Sequence, residues 1–167
     1  RLADVASRFS VLRADLTDYA AVTAQLEAFR PELCIHLAWY VAPADYLSSP
    51  ENLMMLGASL HLVAELARLG CRRFVGVGTC FEYDTEVGRL DESSPTRPRH
   101  LYAACKLALA TVLEQLARDG LMSTVWGRLF SLYGPGEAAS RLVPAVTTAL
   151  LKGERVAVTP GAQVRDY

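Results

Sequence analysis

The sequence predicts an α/β fold built on a doubly wound parallel sheet. Two observations support this prediction. Short apolar segments alternate with amphipathic helical segments along the chain, and this alternation is typical of βαβ units. Four of the apolar segments give way to loops at Asp15, Ala38, Thr79 and Phe130, and the carboxyl ends of the strands are the edge of an open parallel sheet where ligands bind.

The first part of the chain contains two predicted strands and the helix between them. Residues 9–14 form a short apolar segment that predicts a strand. Asp18 is placed to cap a helix whose apolar residues repeat at helical spacing until Pro31. Residues 33–38 are again apolar and predict the second strand.

Strands and helices continue to alternate through the rest of the chain. Apolar residues at helical spacing predict a helix over residues 56–69, and Gly70 ends it. The later predicted elements are a strand at 72–79, a helix from about Tyr102 to Gly120, a strand at 123–130, a helix at 142–152 and a short strand around Val156.

Composition and charge are typical of a globular enzyme domain. The chain has 167 residues, 51% of them apolar, which suffices for one core. Its 17 basic and 18 acidic residues leave a net charge of −1, so no nucleic-acid partner is expected. Four cysteines without Cys-x-x-Cys spacing indicate reduced thiols, no metal site and a cytoplasmic protein. No apolar run reaches the roughly 18 residues of a membrane span, and the first residues do not resemble a signal peptide.

Tyr102 and Lys106 form the most informative pair in the sequence. They stand one helical turn apart and therefore share a helix face. A tyrosine hydroxyl has a pKa of about 10, and a neighbouring ammonium lowers it, so the pair suits acid/base chemistry. Thr79 ends the strand upstream and would hold a substrate hydroxyl. Alternatively, the pair is a half-buried aromatic and a surface cation that stand four residues apart by chance.

Six short motifs follow one another through almost the whole chain. They are Ala-Asp-Leu-Thr-Asp at 14–18, His-Leu-Ala at 36–38, Gly-Thr-Cys-Phe-Glu-Tyr at 78–83, Tyr-Ala-Ala-Cys-Lys at 102–106, Arg-Leu-Phe-Ser-Leu-Tyr-Gly-Pro at 128–135 and Gly-Ala-Gln-Val-Arg-Asp-Tyr at 161–167. In this order, the motifs resemble those of the extended short-chain dehydrogenase/reductase family, the NAD(P)-dependent nucleotide-sugar epimerases and dehydratases. The resemblance implies a Rossmann-like fold, catalysis by Thr79, Tyr102 and Lys106, and NAD or NADP as cofactor, with NAD favoured.

The resemblance also implies contacts with the cofactor and with a nucleotide-sugar substrate. Asp15 would accept a hydrogen bond from the adenine amine, and Arg165 would bind substrate phosphate through its guanidinium fork. The family usually has a small residue where Trp39 stands, so either the backbone turns outward there or the ring adds a wall to the sugar pocket. The implied cofactor-binding residues are Asp15, Leu16, Leu37, Ala38, Trp39, Tyr102, Lys106, Leu129 and Phe130, and the implied substrate-binding residues are Ser131 and Arg165.

Compared with the family, the chain is expected to be incomplete at both ends. No glycine-rich strand-to-helix turn occurs near the amino terminus, where the family seats the cofactor pyrophosphate. The first two strands of the usual sheet and most of the carboxyl-terminal substrate domain would then be missing. We expect residues 1–135 to be a partial cofactor-binding domain and residues 136–167 to begin the substrate-binding region. The isolated chain should bind dinucleotide poorly and be inactive.

The resemblance favours epimerisation of a nucleotide sugar through a transient keto intermediate. A 4-ketoreductase and a dehydratase are the alternatives. Similar 4,6-dehydratases carry an acid directly after the catalytic threonine to expel water, whereas this chain has Cys80 and Phe81 there. Glu82 could substitute for that acid, but the alternation of side chains along a strand predicts that it points elsewhere.

The helices at 56–69 and 101–119 resemble the pair that forms an intersubunit four-helix bundle in the family, which implies a homodimer. An alternative of another class is a non-catalytic module that senses dinucleotide or serves dimerisation. The retention of Thr79, Tyr102 and Lys106 together argues against that alternative, because a sensor has no need of a proton relay.

Overall fold

The computed structural model describes residues 9–161, which form four α-helices and three strands in alternation. The elements are α1 (Tyr19–Phe29), β1 (Leu33–His36), α2 (Glu51–Arg68), β2 (Arg73–Thr79), α3 (Leu101–Arg118), β3 (Ser123–Leu129) and α4 (Leu142–Lys152), with short 3-10 turns at Cys80–Glu82 and Thr85–Val87. The predicted α/β alternation is therefore confirmed.

The three strands form one sheet in the order β1-β2-β3. β1 and β2 are parallel, with Leu33 opposite Arg73 and His36 opposite Gly76. Two parallel neighbours cannot be joined by a hairpin, and α2 supplies the crossover between them. This is the parallel βαβ arrangement that the sequence predicts.

Two predicted strands are wrong. Residues 9–14 and the segment around Val156 belong to no strand, and the described residues contain only the three-stranded sheet. A strand is stable only when a neighbour accepts and donates its backbone hydrogen bonds. Apolar composition alone predicted these two strands, and composition does not reveal whether a partner strand lies alongside.

Local capping explains where the helices begin and end. The Asp18 carboxylate accepts a hydrogen bond from the backbone N–H of Ala21, and α1 ends at Arg30, whose left-handed backbone precedes Pro31. The helix predicted at 56–69 begins earlier, at Glu51, directly after Pro50. It ends before Gly70, whose φ of 80° few other residues tolerate.

The core lies between the helices and one face of the sheet. Its fully buried centre is formed by Leu66 of α2, Phe74 of β2 and Leu109 and Leu113 of α3. Alternate residues of β1 point away from this core, and Leu33 and Ile35 are 48% and 59% exposed. α2 packs against both α1 and α3, so the three helices form one layer over the sheet.

The chain divides into two compact units between Arg128 and Leu129. The first unit contains α1 to α3 and nearly all of the sheet, and the second contains α4. Within residues 9–161, no helix combines the length and the apolar character that crossing a bilayer requires.

Candidate active site

Thr79 ends β2 and caps the 3-10 turn that follows it. Its side-chain oxygen accepts a hydrogen bond from the Phe81 N–H at 3.3 Å, while its own N–H donates to Glu82 Oε1 at 2.9 Å. This reciprocal pair is a capping box. The chain turns sharply at the carboxyl end of the strand, and Thr79 is held there with 7% of its surface exposed.

Glu82 points away from the substrate side as expected, but for a reason that sequence reasoning missed. Because Cys80–Glu82 is a 3-10 turn rather than a strand, its carboxylate is turned back into the protein and is fully buried. It accepts hydrogen bonds from the Thr79 N–H, from Trp126 Nε1 at 3.0 Å and from Arg128 Nε at 2.6 Å. The Thr-x-x-Glu spacing of a capping box was the sequence signal that could have revealed it.

Two glycines of β2 make room for this arrangement. A Cβ added at Gly76 or at Gly78 would lie less than 3.0 Å from the ring of Trp126. At Gly78 it would also collide with the Glu82 carboxylate. The Gly-x-Gly pattern of the strand therefore allows the indole of β3 to lie directly against β2 beside Glu82.

Tyr102 stands in the first turn of α3 beside Thr79. Hydrogen bonding from the Thr79 side chain lowers the pKa of the phenol. Burial outweighs this effect and, together with the nearby Tyr46 and Glu82, raises the pKa of Tyr102 above its usual 10.0. The Tyr46 ring packs edge-on against Tyr102, with 5.1 Å between ring centroids. The Tyr102 N–H donates to the Leu47 carbonyl at 3.1 Å, which anchors the start of the helix.

Lys106 is almost fully buried, with 3% of its surface exposed. Its Nζ donates to the Val77 carbonyl at 2.8 Å and lies 4.0 Å from the centroid of the Trp39 ring. Burial lowers the pKa of Lys106 from 10.5 to about 8, although the charge of Glu82 opposes this effect.

The expectation that Lys106 lowers the pKa of Tyr102 is wrong for this arrangement. The carbonyl of Val77 and the face of Trp39 take up the ammonium. The pKa of the phenol is raised instead of lowered, chiefly by burial. Sharing a helix face brought the two residues to the same end of the sheet, but residues from other elements decide where the ammonium points.

The Trp39 ring forms one side of this cluster. Its Nε1 donates to Asn52 Oδ1 at 2.9 Å, and its edge packs against Tyr102 with 6.4 Å between ring centroids. Asn52, at the start of α2, is completely buried and also donates to the backbone carbonyls of Tyr46 and Ser49. The indole is therefore held in place by the first turn of α2.

His36, the last residue of β1, is a structural residue. Its Nε2 is 2.9 Å from the Ser59 hydroxyl, and burial lowers its pKa to about 4, with a smaller contribution from Lys106. The ring is therefore neutral at physiological pH.

The residues expected on the adenine side lie along the first unit. Asp15 is exposed, and its Oδ1 accepts hydrogen bonds from the Thr17 N–H at 2.9 Å and the Thr17 hydroxyl at 2.7 Å, which lower the pKa of the carboxyl. Leu37 and Ala38 follow β1 and are exposed, whereas Leu16 packs against the core. The structure thus leaves Asp15, Leu37 and Ala38 accessible.

The remaining predicted residues belong to the second unit or lie outside the described residues. Leu129, Phe130 and Ser131 form the start of the second unit, where Leu129 is 41% exposed and the other two are partly buried. Arg165 lies outside the described residues. The structure thus brings together Thr79, Tyr102, Lys106 and Trp39 within the first unit.

Comparison with known proteins identifies the family. The model of the NAD dependent epimerase/dehydratase family matches residues 1–167. The chain belongs to this family. A curated relative, the dTDP-glucose 4,6-dehydratase of Mycolicibacterium smegmatis, is 28% identical over 99% of this chain and 51% of its own length. The chain spans about half the length of the curated relatives that it matches along nearly all of its sequence.

Solved structures show the same relationship. UDP-glucose 4-epimerase from Thermus thermophilus in complex with NAD is 28% identical, with a TM-score of 0.66 over 89% of this chain and 52% of that chain. A dTDP-glucose 4,6-dehydratase from Streptomyces venezuelae, with NAD bound, is 25% identical, with a TM-score of 0.72 over 97% of this chain and 51% of that one. The predicted Rossmann-like fold and family are therefore confirmed.

The side chains at the end of β2 fit a dinucleotide of the kind that these relatives bind. A lysine ammonium has three N–H donors, and the Val77 carbonyl takes up one of them in Lys106. The others suit the hydroxyls of a cofactor ribose. Leu37 and Ala38 leave an exposed apolar surface at the end of the neighbouring strand, against which a cofactor could lie.

Proposed function

We propose that this chain carries the acid/base centre of an NAD-dependent enzyme that oxidises and reduces a hydroxyl carbon of a nucleotide-activated sugar. The observation that carries the proposal is the convergence of Thr79, Tyr102 and Lys106 at the carboxyl end of β2. There the Thr79 side chain lowers the pKa of the phenol, and the lysine is buried and donates to the same strand. In parallel α/β sheets this edge is where ligands bind.

In the proposed mechanism each residue has a separate task. Thr79 orients the sugar oxygen, Tyr102 exchanges a proton with that oxygen, and Lys106 holds the ribose of the cofactor. A bound nicotinamide would accept and return the hydride. In the arrangement described here the raised pKa keeps the phenol protonated at neutral pH, which suits donation of a proton to the oxygen of a keto-sugar.

We propose an epimerase, in which the keto intermediate turns and is reduced on its other face. A ketoreductase would share every residue of this centre. Dehydration is the alternative that the names of the curated relatives favour. It needs a proton donor for the departing hydroxyl, and the Glu82 carboxylate is poorly placed for that role. Three donors surround it, and it is fully buried. The comparisons with enzymes do not support a non-catalytic sensing module.

The test is turnover of UDP-glucose and dTDP-glucose by a full-length protein containing this chain, with NAD present and products resolved by NMR. An inverted hydroxyl identifies an epimerase, and a product that has lost water identifies a dehydratase. Tyr102→Phe should lower turnover by about 10²-fold to 10⁴-fold, as expected for loss of a general acid/base. NAD affinity, measured by calorimetry, should be nearly unchanged.

Tyr46→Phe is the matched control, because it removes a neighbouring phenol oxygen and keeps the ring that packs on Tyr102. Its turnover should stay within about threefold of the wild type, an effect of the size expected for a lost peripheral hydrogen bond. Near-normal turnover by Tyr102→Phe would remove this tyrosine from the mechanism and the proposal with it.

We also propose a homodimer formed by α2 and α3, the elements that correspond to the predicted helices at 56–69 and 101–119. The two helices pack side by side, and large apolar side chains remain exposed on them at Leu53, Met54 and Val112. Light scattering of the full-length protein should give twice the monomer mass. A monomer at micromolar concentration would contradict the proposal.

A further inference from the structure

We propose that Glu82 is a positioning residue, which holds the backbone of Thr79 so that the threonine hydroxyl meets the phenol of Tyr102. This inference rests on the proposed function of that pair and adds a residue that does not itself touch substrate. Its chemistry is that of a fixed hydrogen-bond acceptor, which acts through the Thr79 N–H.

The geometry connects Glu82 to the catalytic pair in one step. Its Oε1 accepts the Thr79 N–H at 2.9 Å. The side chain of the same threonine lowers the pKa of the Tyr102 phenol. Thr79 is the last residue of β2. Because its N–H and its side chain are attached to the same piece of backbone, fixing the direction of the N–H also sets where the side chain points. A shift of about 1 Å in such a group can lower turnover by about 10²-fold.

The carboxylate is itself fixed from the opposite side. Arg128 and Trp126 donate to it from β3 at 2.6 Å and 3.0 Å. Arg128 is in turn held against the ring of Tyr83, with 4.6 Å between the guanidinium carbon and the ring centroid. The acceptor of the Thr79 N–H therefore has little freedom to move, and its position is set by the neighbouring strand.

Stability alone explains this arrangement poorly. Glu82 is completely buried, and its partner Arg128 has only 21% of its side chain exposed. The free-energy cost of removing two charges from water offsets much of the attraction between them. A buried ion pair is therefore weak evidence that the protein is stabilised by it. The pair also requires glycine at position 78, because any side chain there would strike Glu82 and Trp126. The presence of this costly arrangement is better explained by the direction that it imposes on Thr79.

The experiment compares two double variants of the full-length protein that both lack the buried ion pair. Glu82→Gln with Arg128→Met keeps a side-chain oxygen for the Thr79 N–H, whereas Glu82→Met with Arg128→Met removes it. Both pairs are uncharged and similar in volume, so the difference between the variants reports the loss of the acceptor that Thr79 shares with Trp126. Turnover of UDP-glucose or dTDP-glucose, the KM of that sugar and thermal unfolding are measured for each.

The methionine variant should have a kcat at least about tenfold below that of the glutamine variant, at a KM within about threefold, because the loss falls on transition-state geometry. The glutamine variant should stay within about tenfold of the wild type. Equal kcat values in the two variants would overturn the proposal. So would a folded glutamine variant that has lost kcat, since charge rather than the acceptor would then matter.

A second readout does not depend on turnover. Burial, followed by Tyr46, Glu82 and Cys80, raises the pKa of Tyr102, while the Thr79 side chain lowers it, and Lys106 lies on the same helix. The absorbance titration of the phenol, taken as the difference from the same variant carrying Tyr102→Phe, should give a higher pKa in the methionine variant than in the glutamine variant. Equal values would overturn the positioning role. Absence of turnover in the wild type would refute the proposed function. The difference in the pKa of Tyr102 between the methionine and glutamine variants would then test the positioning role of Glu82 by itself.

If the methionine variant does not fold, the glutamine variant decides alone. Retention of both its kcat and the slow exchange of its Thr79 amide proton would support the role of the acceptor. Loss of kcat with the amide still protected would overturn it.

Discussion

Replacing Lys106 by methionine should remove a large, pH-dependent penalty on the stability of the folded protein. Lys106 is 3% exposed, and burial lowers the pKa of its ammonium from 10.5 to about 8. A pKa difference of this size corresponds to about 3 kcal/mol. Below pH 8 the folded protein holds a buried charge, and this penalty is fully present.

Proton binding by the folded and unfolded states determines whether the free energy of unfolding rises or falls with pH. Between about pH 8 and 10.5 the lysine is protonated in the unfolded chain and neutral in the folded protein. The unfolded state then binds more protons, so the free energy of unfolding rises with pH across this window. The Lys106→Met variant lacks this rise. The stability of wild type relative to the variant should therefore increase by about 3 kcal/mol over the window.

The assay is urea unfolding of the full-length protein and of Lys106→Met at a series of pH values from about 7 to 10.5, the range set by the two pKa values. Cys34 titrates with the opposite sign, because burial raises the pKa of its thiol to about 11. Since Cys34 is present in both proteins, its contribution cancels in the difference. Parallel stability curves for the two proteins would refute the burial of a titrating ammonium at Lys106.

Three further predictions concern the strand, the histidine and the isolated chain. Gly78→Ala should lower the free energy of unfolding by about 1–3 kcal/mol because its Cβ would strike Trp126. The control Gly127→Ala, whose Cβ would have its nearest neighbour at 4.0 Å, should cost less than about 1 kcal/mol by urea unfolding. The pKa of His36 is about 4 in the folded protein, compared with 6.5 for an ordinary histidine. Between these pH values the unfolded chain binds the proton more readily, so the free energy of unfolding should fall as the pH drops from about 6.5 to 4, and His36→Asn should reduce this fall. The isolated chain of 167 residues should bind NAD poorly by calorimetry, and tight binding would contradict the expectation of an incomplete cofactor site.

The sequence alone predicted the elements whose ends depend on local contacts. Asp18 caps α1 through a residue three positions away, and Gly70 ends α2 through its own backbone. The motifs around Thr79, Tyr102 and Lys106 predicted the family and their common edge of the sheet. Strands were predicted less well, because a strand depends on a partner elsewhere in the chain. Residues 9–14 therefore had the composition of a strand without forming one.

Only the tertiary structure decided the electrostatics of the site. Lys106 directs its ammonium to Val77 and Trp39, and Glu82 meets Trp126 and Arg128, all through contacts between elements distant in sequence. Helical spacing determines which residues share a face, but not which carbonyl, ring or guanidinium a folded neighbour presents to them. Burial sets the pKa values in the same way, because desolvation depends on every element packed around a group. The chemistry of this chain was therefore visible in its residues, whereas the environment of each charge required the folded protein.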